Sequence, residues 1–235
     1  MAPSLSLDYS SSAGDGLEGY GWSLNGLAAI TRCPQTKSLN GVHGAVNYDM
    51  SDRFCLGGQQ LMMTSLFTTY GADGTTYDTQ TASHILVISH GTAGKGPSWF
   101  EIHLRSGTVL QLGNSTDSKI IAVGNADGTA RAWLLNRSTD VNNNYMAVTY
   151  TNDEVNGQAY PTRVDYTGNT TLSTPTYSSV RFVYQSTPRG DITPIYQAGS
   201  LQQFTTLLTD IVTYNGSTPI LDYRLAYRAG TSTLH

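Results

Sequence analysis

The chain has 235 residues, 39% of them hydrophobic and only 13% charged, with a formal net charge of −4. The charged share is about half that of an ordinary soluble domain, and its lysines are confined to Lys37, Lys95 and Lys119. Without a cluster of Lys or Arg to displace counterions, nucleic acid is not expected as a partner; no apolar run approaches the length of a bilayer-spanning helix, so membrane insertion by this segment is not expected either.

In chain order, Leu5, Leu7 and Tyr9 alternate with Ser4, Ser6 and Asp8, the period-two pattern of a strand with one buried face. The alternation starts almost at the first residue, with no basic stretch leading into an apolar one. Both ends read as cuts through a longer polypeptide. The best helical stretch, Gly26 to Thr31, is too short for more than one turn. Strand patterns resume at Ile85 to Ser89, Trp99 to Leu104 and Thr108 to Leu112, the last two folded into a hairpin by Ser106-Gly107. They continue at Ala130 to Asn136, Tyr145 to Thr151, Thr162 to Tyr166, Val180 to Tyr184 and Thr206 to Tyr214. Leu221, Tyr223, Leu225 and Tyr227 close the series, alternating with Asp222, Arg224, Ala226 and Arg228.

Asn40-Gly41, Asp73-Gly74, Asp127-Gly128, Asn156-Gly157 and Asn215-Gly216 are dipeptides that accept positive φ in tight turns. The expected fold is therefore all-β, of predominantly antiparallel sheets joined by Gly-containing hairpin turns, with little or no helix. It is read as one region, 1–235, that could divide near residue 80. The 15 tyrosines often stand just before turn residues, as Tyr166 and Tyr214 do, where the ring can face the core and the hydroxyl the wet edge.

Residues that could carry chemistry are few. Cys33 and Cys55 are either a disulfide or two small buried thiols; as a disulfide, the loop would contribute roughly 3 kcal/mol. Their spacing matches no zinc site. His84 and His90 bracket a strand without a third ligand, and His43, His103 and His235 are scattered. Gly91-Thr92-Ala93-Gly94-Lys95-Gly96 is glycine-rich, but Gly96 stands where a phosphate loop needs a hydroxyl and Pro97 prevents a following helix. Asp15, Asp73 and Asp127 lie in glycine turns without the alternating array of a calcium loop. The expected catalytic, cofactor-binding and metal residues are none. Trp22, Trp99 and Trp133 could stack on sugars, which keeps a carbohydrate- or receptor-binding β-sandwich as the alternative, although each sits among strand neighbours and reads first as core.

Several segments together carry a resemblance. Ser4-Leu5-Ser6-Leu7-Asp8-Tyr9, Gly19-Tyr20-Gly21-Trp22-Ser23-Leu24, Ile30-Thr31-Arg32-Cys33-Pro34, Gly44-Ala45-Val46-Asn47-Tyr48-Asp49 and Asp52-Arg53-Phe54-Cys55 occur in order. They are followed by Tyr70-Gly71-Ala72-Asp73-Gly74, Gly94-Lys95-Gly96-Pro97-Ser98-Trp99, Tyr160-Pro161-Thr162-Arg163-Val164-Asp165-Tyr166 and Tyr196-Gln197-Ala198-Gly199-Ser200. This set resembles the N-terminal region of the SpvB/TcdB toxins, which include Salmonella virulence plasmid protein B and the B component of insecticidal toxin complexes. The resemblance implies a non-catalytic structural module within an Rhs-type, YD-repeat β-shell that encloses or helps deliver a C-terminal cytotoxic effector. In the virulence protein, ADP-ribosyltransferase activity belongs to a separate C-terminal domain. Implied partners are the remainder of the toxin shell, its effector segment and other toxin-complex subunits. The implied location is secreted, with a cytoplasmic stage before export.

Overall fold

The computed structural model describes residues 1–125 and 127–228. Two strands, β1 (Ser6–Tyr9) and β2 (Trp22–Asn25), pair antiparallel as a separate hairpin. Then come β3 (Ala29–Cys33), the one-turn helix α1 (Lys37–Asn40), β4 (Arg53–Leu56), β5 (Gln59–Met63), β6 (Thr76–Thr79), β7 (Leu86–His90), β8 (Trp99–His103) and β9 (Val109–Leu112). From β3 to β9 each strand pairs antiparallel with the next. After the short β10 (Lys119–Ile121), the long β11 (Ala130–Thr139) pairs with both β3 and β9. That double pairing closes an eight-stranded barrel and removes the free edges of the meander.

The barrel interior is filled by alternate side chains. On β8, Phe100 and Ile102 are wholly buried; on β7, Val87 and Ser89 are. Trp133 on β11 is fully enclosed, with Phe54 and Phe100 edge-on at centroid distances of 5.3 and 5.0 Å, the arrangement aromatic quadrupoles favour. Its indole N–H donates to Pro97 O at 3.1 Å, so the one polar atom of this ring is satisfied inside the core.

β11 is also the root of the second half. Its first residues lie between β3 and β10, and its last residues between β9 and β12 (Asn144–Asp153). From β12 an open antiparallel sheet runs through β13 (Gln158–Asn169), β14 (Ser178–Tyr184), β17 (Leu208–Asn215) and β18 (Thr218–Arg224). Register shifts interrupt the β12–β13, β14–β17 and β17–β18 ladders, which increases local twist. Met146, Val148, Tyr150, Val164, Val180, Phe182 and Leu208 bury its inner face against the barrel core. A small hairpin, β15 (Ile195–Gln197) and β16 (Ser200–Gln202), straps back across: Tyr48 Oη donates to Gln197 O at 2.8 Å, and Arg131 Nη1 donates to Gln202 Oε1 at 2.6 Å.

The all-β, antiparallel expectation holds. The glycines of the six turn dipeptides all have φ between 60° and 81°, and Ser106-Gly107 does turn β8 back onto β9. Residue 80 falls between β6 and β7, which are hydrogen-bonded neighbours in the barrel. Two expectations are corrected. Gly26 to Thr31 is no helical turn: it leads into β3, and a Cβ at Gly26 would lie 2.0 Å from Ser4 O, so contact with the first hairpin rather than helix formation dictates this glycine. Among the described residues the one helical turn is at Lys37–Asn40, stopped by Gly41 in the left-handed conformation. The last alternating stretch also lacks a buried face, since every residue of β18 is exposed.

Candidate interaction surface

Cys33 and Cys55 are bonded to one another across β3 and β4, with Cα atoms 5.9 Å apart; of the two states the sequence left open, the structure has the disulfide. The histidines do not converge. His43 and His84 are exposed, His90 stacks on Trp99 at 4.0 Å, and His103 Nε2 meets its strand neighbour Glu101 at 2.6 Å. His235 lies outside the described residues. Among the described residues no three His, Cys, Asp or Glu side chains form a metal-binding group. Of the tryptophans, Trp133 is core, Trp99 is half-buried, and Trp22 is 44% exposed.

The glycine-rich segment 91–96 is a clamp on the barrel end, organised by a residue the sequence did not single out. Arg32 is 2% exposed, and its guanidinium donates to Ala130 O (2.7 Å), Asp49 O (3.1 Å), Asp52 Oδ2 (2.9 Å) and Lys95 O (2.8 Å). It also lies over Phe54 and Trp133 at 5.6 and 5.7 Å. One buried cation thus joins two loops and the root strand, with its charge matched by Asp52 and its donors by carbonyls. A Cβ at Gly96 would fall 2.6 Å from Arg32 Nη2, and one at Gly94 would fall 2.6 Å from Thr129 N. Close approach of backbone to backbone and to Arg32, not phosphate binding, accounts for the glycines there.

Single exposed apolar side chains stand in several loops, Leu66 and Phe67 foremost, whereas the far edge of the open sheet is exposed along a whole strand. Among the described residues β18 pairs only with β17, and all seven of its residues are exposed, with Ile220, Leu221 and Tyr223 each more than half accessible. Its charges answer one another locally, Arg224 Nε to Asp222 Oδ2 at 2.8 Å. Pro219 is of a kind confined to sheet edges. Beside it, the first hairpin leans on the sheet and leaves an apolar groove of about 380 Å³ between Leu5, Leu7 and Leu24 on one side and Val180, Ile211 and Tyr223 on the other. Tyr9, Tyr20 and Trp22 extend the exposed apolar area along the hairpin. An alternating apolar edge strand with both faces and one hydrogen-bonding side open is an invitation to another strand.

A second anchoring arginine, Arg189, binds the loop before the first hairpin's second strand. It donates to Gly16 O (2.7 Å) and Asp15 Oδ2 (2.6 Å) and pairs with Asp191 (2.9 Å); those carboxylates raise its already high pKa further. The loop it holds carries Glu18, 8% exposed, whose carboxyl is pushed up to about 7 by burial.

A family model described as "Salmonella virulence plasmid 65kDa B protein" matches residues 1–187. No curated protein sequence matches the chain significantly. Among solved structures, the N-terminal domain of effector protein SpvB from Salmonella typhimurium strain LT2 superposes with a TM-score of 0.73 at 19% identity, over 92% of this chain and 83% of that one. The TcdB2-TccC3-Cdc42 crystal structure matches at 0.71 and 19%, and the Photorhabdus luminescens Tc holotoxin pore at 0.69 and 20%. Those two matches cover 92% and 91% of this chain but only 12% of the larger ones. At these identities the similarity describes the fold.

Proposed function

We propose, on the premise that this chain belongs to the Salmonella virulence plasmid 65kDa B protein family, that it is a non-catalytic wall segment of a secreted bacterial toxin. Residues 1–235 act as one module, whose open sheet continues into the rest of a β-shell that encloses or helps deliver a C-terminal effector. Its partners are the remainder of that shell, the effector segment and other toxin-complex subunits. The observation that carries this reading is β18: a seven-residue edge strand with Ile220, Leu221 and Tyr223 exposed and no covering element among the described residues. Left free, such an edge favours aggregation; joined to a further strand, it becomes the interior of a wider sheet. The scarcity of charge supports the same reading, because a wall of Ser, Thr and Tyr makes weak contacts with many sequences and strong contacts with none.

The test is made in the full-length parent toxin. Ile220→Lys together with Tyr223→Lys is expected to open the joint, so that a protease reaches the effector segment that the unaltered shell protects. The same two changes in the 235-residue chain should leave its fold intact, judged by circular dichroism. Unchanged protection of the effector would remove β18 as a joint. Turnover of simple esters, glycosides or phosphates that survives repurification and is lost with a single Asp or His substitution would overturn the non-catalytic reading.

A further inference from the structure

A second concavity, of about 410 Å³, opens between the first hairpin and the segment that leaves β18. Its lining includes Glu18, Tyr20, Trp22, Leu225 and Tyr227. Tyr20, Trp22 and Tyr227 are 55%, 44% and 38% exposed, so three aromatic rings stand around the mouth, whereas Glu18 is 8% exposed. Tyr227 is fixed in place: its ring packs on Gly19, where a Cβ would come within 3.0 Å of it, and its hydroxyl donates to Leu208 O at 2.6 Å.

Glu18 forms no hydrogen bond and no ion pair with another described residue. Asp52, the other acidic residue this deeply buried, has Arg32 and the Asn47 N–H. The nearest cation in the loop, Arg189, is already committed to Asp15, Asp191 and Gly16 O. Arg228 reaches the mouth but remains exposed and unpaired with Glu18. A buried carboxylate without a partner is costly, and aromatic faces around it attract a cation through their quadrupoles. An acidic floor with aromatic walls suits a positive head on an aliphatic stem.

We propose that this cavity is a binding site for a basic side chain, a lysine ammonium or an arginine guanidinium, presented by a partner protein segment. The site stands apart from the wall reading, since the cavity can capture a cation whether or not β18 is joined to anything. Glu18 supplies the charge and Tyr20, Trp22 and Tyr227 the walls. Burial raises the Glu18 carboxyl to about 7, so the empty site is partly protonated at neutral pH and an entering cation drives it to ionise. The groups facing Glu18 are Tyr184 and Tyr227, both held above their ordinary values by burial, and, through Tyr227, Arg189 with its two aspartates. Glu18 is the one among them that changes charge between pH 5 and 8.

The probes are n-butylammonium and n-butylguanidinium chloride, titrated at constant ionic strength into the isotopically labelled full chain, with the Gly19 backbone amide as the NMR reporter. A saturable shift is expected at pH 8 that weakens as pH falls below 7. Neutral n-butanol should give a much smaller one. Glu18→Gln should weaken binding of both cations roughly tenfold, the scale of one charge-assisted hydrogen bond. Trp22→Leu, on the exposed rim, should weaken it as well and covers the case in which the Glu18 variant fails to fold. No saturable shift, butanol binding as tightly as the cations, or affinity unchanged in the folded variants would overturn the proposal.

Discussion

The two halves of the molecule solve the problem of the sheet edge in opposite ways. In the half from β3 to β11, the meander returns on itself, each barrel strand has a neighbour on both sides, and the interior is a layer of interlocking aromatics around Trp133. Its buried cation, Arg32, is matched by Asp52. In the half from β12 to β18, the sheet fans away from β11 and simply stops, with β18 exposed throughout. Buried charge is less well matched where the open sheet's strap and the first hairpin meet the rest of the chain. Arg131, on β11, roots the β15–β16 strap through neutral acceptors alone, with its pKa lowered by burial. Glu18, in the loop of the first hairpin, meets its own backbone N–H but no side chain or backbone group of another described residue. On the proposed reading, the closed half anchors the fold and the open half is the joint to further strands.

The largest effects should therefore lie in the barrel. Trp133→Ala removes the centre of its aromatic layer and is expected to cost about 3–5 kcal/mol in urea unfolding, close to the whole stability of a marginal domain. Asp52→Ala leaves Arg32 buried without its counter-charge, and a loss of about 3–4 kcal/mol is expected. Breaking the Cys33–Cys55 bond releases a loop with a sequence separation of 22; a loss of about 3 kcal/mol is expected on comparing Cys33→Ser with the oxidised chain. If these three substitutions proved no more damaging than equivalent ones on β17 and β18, the division of labour between the halves would be wrong.

The fold class and most of the second half could be read from the sequence, because β11 to β14 and β17 are long and their alternation is strong. Much of the barrel could not. β3, β4 and β5 are four or five residues long, and Gln59, Gln60, Met62 and Met63 lack the β-branched and aromatic signature of a strand. Gly57-Gly58 was the available signal, a two-residue turn between two short paired runs. Barrel closure depends on β11 pairing with β3 a hundred residues earlier, which no local pattern announces. Arg32 was on view beside Cys33, yet nothing in a sequence distinguishes a buried arginine from a surface one until the loops that neutralise it are in place. For β18 the error ran the other way: perfect alternation suggested a buried face, and the partner that would bury it is not among the described residues.

Glu18 sharpens the comparison through pH. Its folded-state pKa, about 7, lies above the ordinary value of 4.5, so the folded chain binds the proton more tightly than the unfolded one. Stability is then full below pH 4.5, falls as pH rises toward 7, and stays reduced above it. Glu18→Gln removes the penalty. The variant should match the parent at pH 4 and exceed it at pH 8 by at most about 3 kcal/mol, the equivalent of the shift. A difference independent of pH would mean that Glu18 is solvated.

The smallest expected change in stability is also the one that most directly separates a joint from a core. Tyr223→Thr and Ile220→Thr each remove an apolar side chain that is more than half exposed, from a strand with no covering layer. Each leaves a β-branched threonine in the strand, so strand propensity is retained. Unfolding free energy should move by no more than about 0.5 kcal/mol, as for other surface positions. Association of the isolated chain, followed by sedimentation velocity over a concentration series, should fall in the double variant because the apolar edge that recruits a second strand has gone. A stability loss of the size found in the barrel would mean that β18 packs as a finished face, and the open half would then be no joint.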